Sequence, residues 1–158
     1  MAIRVQTEDF DAGSELRRLR AGDRNIGAVA SFVGLVRDLA SAPVAEMVLE
    51  HYPGMTEKSL QAIVSEAQAR WRLLGAAVIH RVGRLRAGEQ IVWVGCASEH
   101  RREAFAACEF IVDALKTRAP FWKKEYTPDG PRWVDARAAD EQAARRWEGD
   151  DDDPAHRP

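Results

Sequence analysis

The sequence is poor in the features that mark secreted, membrane and metal-binding proteins. It contains only two cysteines, Cys96 and Cys108, with no CxxC pair and no histidine at zinc-ligand spacing beside them. No apolar run reaches eighteen residues, and residues 1–20 lack the apolar stretch of a signal peptide. We therefore expect two buried thiols, no metal site and a cytoplasmic location.

The charge balance lacks an excess of either sign. The chain has 23 lysines and arginines against 25 aspartates and glutamates, for a net charge of −2. Nothing global indicates a nucleic-acid or membrane partner, so an anion site must arise from local clustering of basic residues. The motifs GxSxG, GxGxxG and the Walker loop are absent as well.

The length and composition are those of one globular domain. The chain has 158 residues, of which 46% are hydrophobic and 30% charged, which is enough apolar material for a packed core. We place the domain at residues 1–148. The remaining residues, 149–158, contain four consecutive aspartates, and this like-charge block predicts an acidic disordered tail.

Hydrophobic periodicity predicts strands and helices in a mixed order. Strands are predicted at 2–6, 26–36, 44–52, 76–85, 90–98, 121–127 and 132–136. Helices are predicted at 13–20, from a cap at Thr56 to about Trp71, at 99–118 and at 138–147. Strand pairs recur between the helices, which favours an α+β fold with a mostly antiparallel sheet over a strictly alternating parallel one.

The densest group of basic residues surrounds the end of the longest predicted helix. Lys116, Arg118, Lys123 and Lys124 lie within nine residues, on both sides of the helix-breaking Pro120. Cations at a helix C-terminus also complement the helix dipole by roughly 0.3–1 kcal/mol, so a purely structural explanation stays open. Strand alternation predicts that Lys123 and Lys124 face opposite sides, with Trp122 on the side of Lys124.

Two further basic positions are candidates for anion binding. His100, Arg101 and Arg102 open the long helix, where the positive end of the helix dipole disfavours cations unless an anion lies between them. Arg37 ends a buried strand, and its planar guanidinium suits a phosphate. Solvated surface side chains would explain both positions equally. His51 and His80 lie in predicted strands without carboxylate or cysteine neighbours, and we assign them no role.

Five ordered segments, taken together, resemble a known protein family. They are Phe32–Arg37, Leu49–Met55 (LEHYPGM), His80–Gly83, His100–Arg101 and Leu115–Glu125 (LKTRAPFWKKE). The order and content of these segments resemble the catalytic, larger subunit of molybdopterin synthase, the MoaE family. The resemblance extends from about Ile26 to Trp147.

The resemblance implies a fold, a reaction and a set of partners. The fold would be α/β hammerhead-like, and the protein would be a sulfurtransferase that needs no metal or organic cofactor. It would form a homodimer whose subunits each bind a small ubiquitin-like sulfur carrier, giving a heterotetramer. The carrier's Gly-Gly terminus would bear a thiocarboxylate. Two sulfurs would pass to cyclic pyranopterin monophosphate (precursor Z), making the molybdopterin dithiolene of the molybdenum cofactor.

The resemblance also implies roles for individual residues. Lys116 would lie next to the carrier terminus, and Lys123 would transfer protons or stabilise charge as sulfur adds. The predicted substrate-binding residues are Arg37, His100, Arg101, Lys124, Glu125 and Arg137. These assignments fit the residue chemistry, because a thiocarboxylate and a cyclic phosphate are both anions.

Two other functions remain open from the sequence. A non-catalytic dimeric module that binds a ubiquitin-like protein or a phosphorylated ligand would use the same arginines. Such a module would tolerate lysine-to-arginine changes, whereas an acid–base lysine would not. RNA binding through the basic and aromatic strand near Trp122 is a third reading, but the acidic net charge and the lack of an RNP-type signature count against it.

Overall fold

The computed structural model describes residues 2–38, 46–134 and 138–148. The helices are α1 (Ala12–Arg20), α2 (Met55–Arg70), α3 (Arg101–Arg118) and α4 (Ala138–Arg145). The strands are β1 (Ala2–Gln6), β2 (Ala28–Leu35), β3 (Glu46–His51), β4 (Gly75–Arg81), β5 (Gly83–Leu85), β6 (Gln90–Ser98), β7 (Phe121–Thr127) and β8 (Gly130–Val134).

The strands form two four-stranded sheets. The first has the order β1-β4-β6-β2, and the second has the order β5-β3-β7-β8. Among the strand pairs in the described part of the chain, β1 with β4 is parallel and the others are antiparallel. The structure confirms the predicted α+β fold with mostly antiparallel strands.

Helices cover both faces of the first sheet. On one face, α2 and α3 pack their apolar stripes, which include Leu60, Ile63 and Ile111, against Val78 and Val94. On the other face, α1 lies over a smaller cluster, whose buried members include Ile79 and Trp93. Strand β6 is therefore buried on both sides, and this burial explains its nearly unbroken apolar sequence.

The predicted strand at 76–85 is two strands that belong to different sheets. Strand β4 ends at Arg81, and β5 begins at Gly83, whose φ of 88° a residue with a side chain rarely adopts. The single-strand prediction was wrong because apolar periodicity continues through the bend. This bend carries the chain from the first sheet into the second.

The cap predicted for α2 was also wrong. The helix begins after Gly54, whose backbone N–H donates to the Glu57 carboxylate at 2.6 Å. Thr56 lies inside the first turn and is fully buried, and its hydroxyl accepts from the Tyr52 N–H at 3.2 Å. A buried threonine at this place ties β3 to α2 instead of capping the helix.

The C-terminal helix is attached to the helical layer by polar and aromatic contacts. The Trp147 indole N–H donates to Asp113 at 2.7 Å, and Arg146 donates to Asp113 at 2.8 Å and to Glu109 at 2.6 Å. The Trp147 ring also packs edge-on against Trp71. Helix α4 ends at Arg145, two residues before the predicted end, and residues 149–158 of the predicted acidic tail lie outside the described residues.

None of the helices within residues 2–38, 46–134 and 138–148 combines the length and apolar character that a membrane crossing requires.

The Gly95→Ala substitution tests the packing between β6 and α1. A Cβ at Gly95 would lie 2.4 Å and 2.6 Å from atoms of the Trp93 ring, which is fully buried. We expect a loss of about 1–3 kcal/mol in the free energy of unfolding, because the ring has no room to move. Urea denaturation of both proteins measures this loss.

Gly22→Ala is the matched control, because no heavy atom lies within 4 Å of the added Cβ. It should change the free energy of unfolding by less than about 0.5 kcal/mol. Equal effects of the two substitutions would contradict the packing described here.

Candidate functional site

Helix α3 and strand β7 meet at Pro120, and two lysines flank this junction. The ring of Pro120 disfavours the helical conformation in the residue before it, and Ala119 is extended with φ −86° and ψ 133°. Lys116 lies in the last turn of α3 and is exposed, and Lys123 is the third residue of β7. The helix end and the strand therefore present one lysine each.

The structure sorts the four cations of this segment into different environments. Arg118 donates to the Glu66 carboxylate of α2 at 2.7 Å, which is an ion pair between two helices. The Lys124 ammonium lies 5.3 Å from the Trp133 ring centroid and 5.7 Å from that of Tyr126. Lys116 and Lys123 instead act on a common neighbour, the buried imidazole of His80.

The register of β3 with β7 separates the two adjacent lysines. Lys123 is opposite Leu49, which is 2% exposed, so both occupy the inward face of the second sheet. Trp122 is opposite Glu50 on the outward face and is 42% exposed. The prediction that Lys123 and Lys124 face opposite sides, with Trp122 beside Lys124, is confirmed.

His80 lies near the end of β4, stacked flat on Phe121 of β7. The two ring centroids are 3.7 Å apart and the planes differ by 14°. The imidazole Nδ1 is 2.8 Å from the carbonyl oxygen of Arg81. A carbonyl only accepts, so Nδ1 carries the proton and donates to it. His80 is 8% exposed, so the two contacts hold a buried ring in a fixed plane.

The surroundings keep this imidazole neutral. Burial, with smaller contributions from the charges of Lys116, Lys123 and His51, lowers the pKa of His80 to about 4 against the opposing effect of the Arg81 carbonyl. His51 is opposite Phe121 in the β3–β7 register, so it shares the inward face with the ring that His80 stacks on. We call His51, His80, Lys116 and Lys123 the lysine–histidine cluster.

The predicted arginine at the end of β2 lies at the same end of the first sheet as His80. Val92 is opposite His80 on one side and Gly34 on the other, so β2 leaves the sheet beside the end of β4. Arg37 follows two residues after β2 and is exposed. The sheet therefore directs Arg37 towards the end of the molecule that holds the lysine–histidine cluster.

The other predicted basic pair lies at the opposite end. His100 caps the N-terminus of α3 without a side-chain hydrogen bond, and Arg101 is the first helical residue; both are exposed. Sixteen residues of helix separate His100 from Lys116, which corresponds to about 24 Å along the axis. One chain does not bring this pair together with its own lysines.

Two predicted substrate-binding residues remain. Glu125 shares the inward face with Lys123, and its carboxylate accepts from Arg132 at 2.9 Å and 3.1 Å. The Glu125 side chain is only 15% exposed, so it forms part of the largely buried surface beside Lys123. Arg137 lies outside the described residues.

The cysteines confirm the prediction of buried thiols. Cys96 is fully buried and Cys108 is 7% exposed, and neither forms a disulfide. The hydrogen bond with Cys108 and burial both raise the pKa of Cys96, so that thiol is a poor nucleophile. Within the residues that the structure describes, no group of three or more histidine, cysteine or acidic side chains could hold a metal ion.

Sequence reasoning missed the two histidines of the cluster. Neither has a carboxylate or cysteine partner nearby in the sequence, so the sequence alone gives it no role. A signal was present, since each lies three residues before a glycine with positive φ, Gly54 at 85° and Gly83 at 88°. Side chains at strand ends that precede such bends are placed where sites commonly form.

Comparison with known proteins gives the same family throughout. The model of the MoaE protein family matches residues 5–118. The molybdopterin synthase catalytic subunit of Ralstonia nicotianae is 64% identical over 146 residues, covering 92% of this chain and 83% of that protein. The Pseudomonas aeruginosa protein of the same name is 60% identical over 149 residues, covering 94% and 99%.

Solved structures agree. The MoaE protein of Burkholderia ambifaria is 58% identical with a TM-score of 0.81, covering 94% of this chain and 99% of that one. A Helicobacter pylori structure, described as a protein–protein complex of subunits 1 and 2 of molybdopterin-converting factor, shares the fold with a TM-score of 0.71 at 18% identity, covering 85% and 91%. The chain belongs to the MoaE family, the family of molybdopterin synthase catalytic subunits.

Proposed function

We propose that this MoaE-family enzyme transfers sulfur from the thiocarboxylated C-terminus of a small ubiquitin-like carrier to cyclic pyranopterin monophosphate. Two such transfers make the molybdopterin dithiolene. Lys116 and Lys123 are the catalytic residues of this proposal. The observation that carries it is the position of the two lysines on either side of the α3–β7 junction, where the buried His80 stacks on Phe121 of β7.

The electrostatics of the lysine–histidine cluster suit anionic reactants. A thiocarboxylate and a cyclic phosphate each bring negative charge, and ammonium groups beside a partly buried wall stabilise that charge more strongly than they would in water. Burial, with smaller contributions from both lysines, lowers the pKa of His80, so the ring adds no further positive charge at neutral pH. The lysine–histidine cluster therefore suits an anionic reactant.

The two lysines differ in exposure, and this difference suggests a division of labour. Lys116 is exposed at the helix end, where a flexible carrier terminus reaches it directly. Lys123 is half-buried on the inward face. We assign Lys116 to contact with the thiocarboxylate, and Lys123 to proton transfer or charge stabilisation as sulfur adds to the pterin.

The phosphate-binding set of this proposal draws on two copies of the chain. Arg37 comes from the same end of the fold as the cluster, whereas His100 and Arg101 lie about 24 Å of helix away from Lys116. In a homodimer, the N-terminus of one α3 would complete the site of the other copy. Two bound carriers would then give a heterotetramer. A small-subunit partner is supported by the Helicobacter pylori structure of the same fold, which is a complex of subunits 1 and 2 of molybdopterin-converting factor.

The remaining assignments depend on whether a residue lies on the inward or the outward face of β7. We place Glu125, through its ion pair with Arg132, in the wall of the substrate pocket. Arg137 remains a proposed phosphate ligand. Lys124 lies on the outward face over aromatic rings, so its predicted part in substrate binding gains no support from this geometry. We propose that the reaction takes place in the cytoplasm.

Substitution of the lysines tests the catalytic assignment. Lys116→Ala, Lys123→Ala and Lys123→Arg should each lower the rate of molybdopterin formation by about 100-fold or more, because charge stabilisation and proton transfer contribute on that scale. Lys123→Arg is included because an arginine keeps the charge but does not release its proton. Product is measured with purified enzyme, thiocarboxylated carrier and precursor Z.

Lys58→Ala is the matched control, since Lys58 is an exposed lysine on α2 away from the cluster. It should leave the rate unchanged, and all variants should retain carrier binding. A folded wild-type protein that binds the carrier but forms no product would contradict the proposed reaction and favour a binding module. Full activity of Lys123→Arg would contradict the acid–base role of Lys123 but not its role in charge stabilisation.

The pKa of His80 reports whether the lysines converge on it. Lys116→Met and Lys123→Met should each raise this pKa above its value of about 4, because each removes a positive charge that opposes protonation. The measurement is a pH titration of the imidazole nitrogens by NMR. Lys124→Met, one residue away on the opposite face, should leave the pKa unchanged, and an equal rise there would contradict the described geometry.

A further inference from the structure

The two nitrogens of His80 have different environments. Nδ1 donates its proton to the Arg81 carbonyl at 2.8 Å, so the lone pair of the neutral ring is on Nε2. A 180° turn of the ring about Cβ–Cγ would put a carbon where Nδ1 now donates and would lose this hydrogen bond, while the stacking on Phe121 keeps the ring in its plane. The structure therefore fixes one hydrogen-bond acceptor at a defined place in the site.

Among the described residues, three basic side chains lie near this ring. His80 stacks on Phe121 of β7, His51 of β3 is opposite Phe121, and Lys123 lies two residues further along the same face of β7. Lys116 lies in the last turn of α3, just before this strand, and all three groups lower the pKa of His80. A protonated imidazole would repel both lysines. A neutral imidazole instead offers a lone pair to an ammonium.

The Nε2 lone pair could act as a base that takes a proton or as an acceptor of a hydrogen bond, and the low pKa of His80 distinguishes between these two roles. Burial lowers the pKa of His80 to about 4, with smaller contributions from the neighbouring charges, so proton transfer from an ammonium to this ring is unfavourable. His80 is therefore a poor base for such a proton. Accepting a hydrogen bond requires no transfer, so an acceptor role fits a buried neutral ring whose Nδ1 already donates to the Arg81 carbonyl.

We propose that Nε2 of His80 accepts a hydrogen bond from an ammonium of the Lys116–Lys123 pair when the thiocarboxylate is bound, and so sets where that ammonium lies. His80 is then a positioning residue for the sulfur transfer and does not itself react. This inference rests on the proposed function. It adds a residue to the site that neither the basic clusters of the sequence nor the predicted substrate-binding set includes.

Two isosteric substitutions separate the ring nitrogens. The amide N–H of His80→Asn takes the place of Nδ1 and keeps the donor to the Arg81 carbonyl, but nothing replaces Nε2. The amide of His80→Gln reaches the place of Nε2 and supplies an acceptor oxygen, but the donor at Nδ1 is lost. Comparison of the two variants therefore separates the effect of the acceptor at Nε2 from the effect of the hydrogen bond between Nδ1 and the Arg81 carbonyl.

The expected result is a difference in kcat. His80→Asn should lower kcat by about 10- to 100-fold, the scale of a hydrogen bond to a charged group, whereas His80→Gln should stay within about threefold of wild type. KM for the carrier should be unchanged in both. The alkaline limb of the pH–kcat profile should shift to lower pH in His80→Asn only, because a lost acceptor no longer favours the charged ammonium.

A measurement on the wild-type protein guards against variants that do not fold. In ¹⁵N-histidine-labelled enzyme, addition of the thiocarboxylated carrier should shift the Nε2 resonance towards the hydrogen-bonded range. The same addition should leave it unshifted in the Lys116→Ala, Lys123→Ala double variant. An unshifted wild-type resonance would overturn the inference.

The remaining outcomes keep this inference distinct from the proposed function. If wild type makes product and Lys123→Ala does not, while His80→Asn is as active as His80→Gln, the lysine roles stand and the positioning role of His80 fails. If folded wild type makes no product, the proposed function itself fails. Equal losses in both histidine variants, in proportion to lost stability, would show a purely structural histidine.

Discussion

The site depends on how the chain crosses from the first sheet to the second. At the crossing, the buried guanidinium of Arg81 donates to the carbonyls of Thr7 and Gln90 at 2.9–3.2 Å. Its charge is further balanced by Glu89 at 3.5 Å. A buried arginine is tolerable only with such partners, and here they hold the ends of β1, β4 and β6 together. The same residue's carbonyl accepts from His80, so the crossing and the imidazole are fixed as one unit.

This rigidity allows the protein to hold like charges close together. Two lysines converge on one histidine, and repulsion among them would favour a looser arrangement if all carried charge. Keeping His80 neutral through burial reduces the repulsion without removing either ammonium. Sites whose titratable groups are perturbed in this way are commonly functional, because folding alone gains nothing from them.

The sequence predicted local structure better than it predicted partners. Apolar periodicity located both long helices, and strand alternation placed Lys123 and Lys124 on opposite faces, because both depend only on near neighbours. Apolar periodicity gave a wrong prediction at 76–85, because it continues through Gly83 although the chain passes there from one sheet to the other. It also left His80 without a role, because the stacking on Phe121 joins residues about forty positions apart. Clusters of basic residues in the sequence indicated which side chains suit an anion. They did not show which of these side chains lie at the same end of the folded chain.

The direction of α3 has the largest consequence for assembly. The helix runs the length of the first sheet, so its N-terminal His100 and Arg101 and its C-terminal Lys116 necessarily lie at opposite ends, about 24 Å apart. If both groups act on one substrate, no rearrangement of a single rigid helix unites them, and the substrate must lie between two copies. A twofold axis makes this arrangement reciprocal: when one α3 places its N-terminus at the neighbour's lysines, the neighbour does the same in return. One twofold interface then completes two sites, and separated subunits would retain the lysines while losing the pair proposed to bind phosphate.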